Sequence, residues 1–173
     1  MFKMKKFLIV AFVVLSQAAS AQTLVEKAAK DELVFMRNED PAMRRAFDVA
    51  RSTLDDFLVI ANERSPGKAD FAVKVAISEG MKTEYFWVVD FVRKGGDQFE
   101  GEIGNEPRMV KTVKLGQRYG FPRDRIVDWT YIDKVQRRMV GNFTLCALLT
   151  QEPKKDGDDM KRRFNLDCSR VTP

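Results

Sequence analysis

The chain has 173 residues and a mass of 19.9 kDa, enough for one ordinary domain and a short leader, so two domains are not expected. With 45% hydrophobic and 32% charged residues it has the means for both a core and a charged surface, which excludes the disordered and fibrous classes. It contains no histidine, which excludes Ser-His-Asp and Cys-His relays, imidazole metal sites and a histidine pH switch, and leaves chemistry to carboxylates, Lys, Tyr and Ser/Thr.

The N-terminus reads as an address label. Lys3, Lys5 and Lys6 precede the unbroken apolar run Phe7 to Leu15, and the small and polar residues Ser16 to Ala21 end on Ala19-Ser20-Ala21. This is the pattern of a secretory signal peptide over residues 1–21, cleaved after Ala21, leaving one domain over 22–173. The apolar run is about half the roughly 20 residues a membrane helix needs, and no integral membrane segment is expected after cleavage. The expected address is periplasmic or secreted.

Removing the three leader lysines from 30 basic residues leaves 27 against 25 acidic, a net charge of about +2. The runs Lys154-Lys155, Lys161-Arg162-Arg163 and Arg137-Arg138 have no aromatic residues among them, and Asp156, Asp158 and Asp159 lie between the first two. They read as a solvated face, with no nucleic-acid partner. Cys146 and Cys168 are the only cysteines, and export puts them where a disulfide persists. A bridge is predicted, the alternative being two separately buried thiols.

In chain order, Gln22 to Asn38 is amphipathic and ends in Glu32 to Met36, a small edge strand. Asp40 can cap a helix whose first position suits Pro41. Met43, Ala46, Phe47, Ala50, Leu54, Phe57, Leu58 and Ala61 then recur at three- and four-residue steps, predicting one main helix that ends by Ser65-Pro66-Gly67. Asp70 to Ser78 alternates Phe71, Val73, Val75 and Ile77 with smaller or polar residues, a half-buried strand. Glu84 to Arg93 and Asp97 to Gly104 flank Gly95-Gly96, a hairpin signal that sets position 93 opposite 98. That register gives Phe86, Val88, Val92, Phe99 and Ile103 one face. Tyr85, Trp87, Val89 and Phe91 take the other with Glu100, Glu102 and Glu106. Val110 to Lys114 and Arg118 to Phe121 read as a bent strand interrupted by glycines, and Ile126 to Ile132 as a strand with Trp129 and Tyr131 on one side and Asp128 and Thr130 on the other. Phe143 to Leu149 is nearly all apolar, so periodicity does not separate strand from helix; a helix starting near Asn142 and halted by Pro153 is favoured. A short helix around Asp158 to Phe164 follows. The fold class is α+β: one main helix packed on a curled, mostly antiparallel sheet, with a short C-terminal helical tail pinned by the cysteines. Phe47, Leu54 and Phe57 are expected to meet Val73, Val75, Val88 and Ile103.

The order of several blocks is distinctive. Asp40-Pro41-Ala42-Met43, Ala50-Arg51-Ser52-Thr53-Leu54, Phe71-Ala72-Val73-Lys74 and Glu84-Tyr85-Phe86-Trp87 are followed by Phe99-Glu100-Gly101 and Asn105-Glu106-Pro107. Val113 to Gln117, Ile126 to Tyr131 and Met139 to Thr144 complete the series. In this order the chain resembles the YegJ-like bacterial domain of unknown function, over about residues 32–150, with 151–173 as a C-terminal tail. The resemblance implies a compact α+β domain and brings no activity, cofactor or ligand. Tyr85 stands where that family often has His, and Cys146 where it often has Arg, so a role resting on either group is absent here.

Candidate binding residues are Glu84, Trp87, Asn105, Asp128, Trp129 and Tyr131. An aromatic beside a carboxylate, as in Asp128-Trp129, can stack on and anchor a sugar or a cationic group. Trp129 is also a natural core residue, and Asp128 and Asn105 are natural turn formers. Glu84, Asn105 and Asp128 could converge at one end of the sheet, with Lys74 as an ion-pair partner. The reading is a non-enzymatic binding or accessory module of the bacterial envelope, whose partner is another exported protein or an envelope component. Tyr85, Trp87 and Phe91 would supply its surface. The alternative is a carboxylate-dependent hydrolase of cell-wall glycan, with Glu84 and Asp128 as its acids. No catalytic residue, metal or cofactor is assigned.

Overall fold

Asp40 and Pro41 open the first helix. In the computed structural model, which describes residues 40–172, the Asp40 carboxylate accepts the Ala42 N–H at 2.8 Å, and Pro41 sits where a helix needs no N–H. The predicted leader and the predicted strand Glu32 to Met36 lie outside the described residues. The single predicted helix is in fact two, α1 (Pro41–Ser52) and α2 (Leu54–Asn62), which meet at Thr53 with φ −117° and ψ 5°. Competition for carbonyls accounts for the break. The Ser52 and Thr53 hydroxyls both donate to the Val49 carbonyl, at 2.9 and 2.7 Å, and the Trp129 indole N–H donates to that of Ala50 at 3.1 Å. The apolar stripe is buried from Met43 to Phe57 as its spacing predicts, and Leu58 and Ala61 are half-buried against the same core.

Six strands form one open antiparallel sheet. They are β1 (Lys68–Glu79), β2 (Lys82–Gly95), β3 (Gln98–Ile103), β4 (Arg118–Pro122), β5 (Ile126–Asp133) and β6 (Arg138–Gly141), in the order β4-β3-β2-β1-β5-β6. Paired residues share a face, so Val73 with Val88, Val75 with Phe86 and Ile77 with Glu84 define one side. Lys74 with Trp87 and Ala76 with Tyr85 define the other. β5 adds Trp129 beside Val73 and Asp128 beside Lys74. Val73, Val75, Val88 and Ile103 lie in one buried cluster with Phe47, Leu54 and Phe57, as expected.

The hairpin register holds only in part. Val88 faces Ile103 and Val89 faces Glu102, as predicted, but beyond Asp90 the pairing slips to Val92 with Glu100 and Arg93 with Phe99. Asp90 has a φ of +46° at this bulge, and one extra residue reverses which side chains face inward. Phe91 therefore meets Phe57 at 6.0 Å and Phe99 at 6.5 Å, while Val92 is 44% exposed. The predicted aromatic face is not a free stripe: Phe91 has joined the core, and Tyr85 packs on Phe47 at 5.7 Å.

Three further differences concern the later chain. Val110 to Lys114 forms no strand; Val110 and Val113 are buried as anchors of an irregular loop. β6 was not foreseen, because four residues give too short a pattern. The last predicted helix, α4 (Lys154–Phe164), starts directly after Pro153 rather than near Asp158. Its Lys154 pairs with Asp158 and its Arg162 with Asp159, the solvated charged face expected. Phe143 to Leu149 is helical, as α3 (Phe143–Leu148). Cys146 of α3 is bonded to Cys168, with Cα atoms 5.4 Å apart, and holds the tail that buries Leu166 and Val171. Among the described residues no helix is long and apolar enough to cross a membrane.

Candidate functional site

Glu84, Asn105 and Asp128, which could have converged at one end of the sheet, are each committed elsewhere. The Glu84 carboxylate accepts backbone N–H groups from Arg108, Met109 and Val110 at 2.8, 2.9 and 2.9 Å, folding the irregular loop over the core. Asn105 Oδ1 accepts the Trp87 N–H at 2.8 Å and prolongs the β2–β3 ladder with a side chain. Asp128, 0% exposed, accepts from the N–H groups of Trp129 (2.8 Å), Phe143 (3.2 Å) and Thr144 (2.8 Å) and from the Thr144 hydroxyl (2.6 Å). It caps α3 from a neighbouring strand, since Asn142, the residue at the helix start, makes no side-chain cap. Burial pushes its carboxyl up, opposed by the Lys74 charge and by the bonds from Thr144 and Trp129. Glu84 shares the face of Ile77 and Asp128 that of Lys74, so the two acids point to opposite sides of the sheet.

Trp87 is half-buried. The Lys74 ammonium lies 4.5 Å from the centre of its ring and donates to the Thr144 hydroxyl at 2.8 Å, linking Trp87 to the Asp128 network.

Trp129 and Tyr131 lie on the other side of β5 and contribute to a cleft of about 300 Å³ between α2, β5, β6, the start of α3 and the disulfide-tied tail. Their rings are 6.2 Å apart and inclined by 9°, and Phe57 stacks on Trp129 at 4.8 Å and 16°. Phe143 meets Trp129 edge-on at 5.3 Å. Trp129 and Tyr131 are only 6% and 7% exposed, so they present rims rather than open ring faces. Gly141 lets β6 approach this closely: with φ +80°, a Cβ there would lie 2.2 Å from the Trp129 carbonyl oxygen.

Asp56, Arg138, Asp167 and Arg170 supply the charge of this cleft. Asp167 accepts the Ser169 N–H at 3.0 Å, and bonds from the Ser169 backbone and side chain hold its carboxyl below the usual aspartate range. Burial, with the Asp133 charge, raises the Tyr131 phenol, against the pull of Arg138. Arg138 Nε is buried and has no hydrogen-bond partner. Along the sequence Arg138 stands in a basic run that reads as solvated, and Asp167 and Arg170 carry no pattern that singles them out. Had β6 been recognised, its antiparallel register would have set Arg138 and Val140 on the face of Tyr131.

A second, wider depression of about 680 Å³ lies among Arg51, Leu54, Asp97, Arg123, Asp124 and Ile126. Its Arg123 is already paired with Asp55 at 2.8 Å. Among the described residues, no group of three or more Cys, Asp or Glu side chains is placed to hold a metal ion.

Sequence comparison places this architecture. A bacterial family described as "Uncharacterized protein conserved in bacteria (DUF2314)" matches residues 40–167. The chain belongs to this family. It is also 32% identical over 136 residues to "Uncharacterized protein YegJ" of Escherichia coli (strain K12), covering 78% of this chain and 84% of that protein. No solved structure matches. The DUF2314 match includes Phe57, Trp129, Tyr131, Arg138 and Asp167 of the cleft, and stops one residue short of Cys168.

Proposed function

We propose that this protein is an exported, non-enzymatic binding or accessory module of the bacterial envelope, with the cleft beside Trp129 and Tyr131 as its binding site. The leader pattern Met1 to Ala21 and the Cys146–Cys168 bridge support export. The observation that carries the non-enzymatic reading is the state of the acids. Glycan hydrolysis needs an acid of raised pKa within reach of the substrate. The raised carboxyl of Asp128 is fully buried and bonded four times, and Asp167, at the cleft, is shifted in the opposite direction. The aromatic rims and the guanidinium of Arg138 suit recognition instead.

The test joins localisation to activity. Expressed from its own leader in a bacterium, the protein should be recovered from the periplasm or medium with Gln22 at its N-terminus. An intact Met1 on cytosolic protein overturns export. Purified protein should not cleave peptidoglycan. Cleavage by wild type that is lost in a folded Glu84→Gln or Asp128→Asn variant overturns the non-enzymatic reading in favour of the hydrolase.

A further inference from the structure

We infer that the cleft takes a small monocarboxylic acid, its carboxylate held by Arg138 and its apolar or aromatic body laid against the rims of Trp129 and Tyr131. This inference rests on the cleft being the binding site and adds the chemistry of what enters it.

Among the described residues, Arg138 Nε is the only fully buried side-chain nitrogen or oxygen without a hydrogen-bond partner. A guanidinium has five N–H donors and no acceptor, and a buried donor left unmade is destabilising. Other buried polar groups here are matched closely, as Asp128 and Glu84 show. Two acids near Arg138 are not hydrogen-bond partners of its Nε. Asp133, paired with it across β5 and β6, turns Oδ1 to the N–H groups of Val135 and Gln136 at 3.0 and 2.9 Å, and Asp167 accepts from Ser169 at 3.0 Å and feels the Arg138 and Arg170 charges without bonding Nε. An acceptor for Nε is what the described residues do not supply.

A carboxylate is the acceptor that fits the side of a guanidinium, because its two oxygens match Nε and one Nη in parallel. Nε is covered by protein, so engagement requires the Arg138 side chain to turn and present Nε to the cleft. Arg170 adds positive charge at the mouth. Asp56 and Asp167 also line the cleft, and a second or third negative charge on the ligand would be set against them, which disfavours polyanions. Ile60, Met139, Val140 and Phe143 complete an apolar lining. About 300 Å³ is the lower end of the range for ligand sites, the volume of roughly ten waters, so the body is small.

The test is a titration of the disulfide-intact protein followed by the Trp129 indole N–H resonance in nitrogen-15 spectra. The probes are N-acetylphenylalanine, its amide, citrate, and a pentapeptide ending in phenylalanine. N-acetylphenylalanine should move the resonance to saturation, with the amide and citrate at least tenfold weaker. Arg138→Gln and Arg138→Lys should each weaken the acid at least tenfold, the lysine variant retaining the charge but not the planar fork. Dispersed spectra and unchanged melting of either variant show that the fold survives. A peptide that binds as well as the small acid assigns the carboxylate to a chain terminus. A peptide that is excluded assigns it to a free acid, and either result supports the shared chemistry. Equal binding of acid and amide, or of wild type and Arg138→Lys, overturns the carboxylate assignment while leaving the cleft as a site. If neither these probes nor a neutral fragment set perturbs Trp129, the binding site itself is overturned.

Discussion

The two sides of strand β5, one residue apart in sequence, treat polar groups in opposite ways. On the Asp128 side both carboxylate oxygens are bonded, Thr144 donates and accepts, and Lys74 is held between Thr144 and the Trp87 ring. On the Trp129 and Tyr131 side three near-parallel rings build a wall beside Arg138, whose Nε has no acceptor. A buried charge that the fold satisfies is part of the scaffold, and a buried donor that it does not satisfy is where an outside group can add energy. The contrast also explains why Asp128, the carboxylate most prominent in the sequence, is the one a ligand cannot reach.

The largest break in this contrast should come from Asp128→Ala. It strips the acceptor from two backbone N–H groups of α3 and from the Thr144 hydroxyl, and removes the buried carboxylate beside Lys74. A loss of about 3–5 kcal/mol in urea unfolding is expected. A loss under 1 kcal/mol would show that the network contributes little to the scaffold. Next is the disulfide. Replacing Cys146 and Cys168 by alanine opens a loop with a sequence separation of 22 and should reduce stability by about 3 kcal/mol. The tail carries Asp167 and Arg170, so the same variant should bind cleft ligands more weakly; calorimetry and the indole titration read the two effects separately.

On the opposite side of β5 the expected sign changes. Arg138→Met removes an unsatisfied buried donor and keeps an unbranched apolar chain as far as the position of Nε, so its stability should lie within about 1 kcal/mol of wild type or exceed it. A cost above 2 kcal/mol would mean that Arg138 has a structural role like that of Asp128. The smallest effect concerns pH. The Asp167 carboxyl is held below its ordinary value of 3.8, chiefly by the Ser169 N–H. Its contribution to the turn at Ser169 is therefore fully present above 3.8 and disappears as pH falls through the lower folded-state value. Hydrogen exchange of the Ser169 amide should speed up, beyond the intrinsic pH effect, below that range, and Asp167→Asn should remove the transition.

Much of the fold was legible along the chain because its causes are local. Asp40-Pro41 specifies a helix start through a side-chain acceptor two residues away, and the alternation in Phe71 to Ile77 and Ile126 to Ile132 gives the strands their inner and outer faces. Gly95-Gly96 announced the hairpin but could not announce the bulge at Asp90, which depends on Phe91 finding Phe57 and Phe99 inside. Of the candidate site, Trp129 and Tyr131 were legible as an alternating aromatic pair. Arg138 was not, because a four-residue edge strand leaves too little periodicity to separate it from its basic neighbours.

The sequence alone thus determined the start of the first helix at Asp40-Pro41 and the alternating strands, each through residues that interact within a turn or a strand of one another, and it supplied the two cysteines available for one bridge. The tertiary structure decided the rest. It breaks the first helix at Thr53 with help from an indole 79 residues from Ala50, caps α3 with a carboxylate 16 residues before Thr144, and leaves one arginine nitrogen without a partner. Hydrogen bonding over such separations depends on which backbones come to lie side by side, and that is a property of the packed chain.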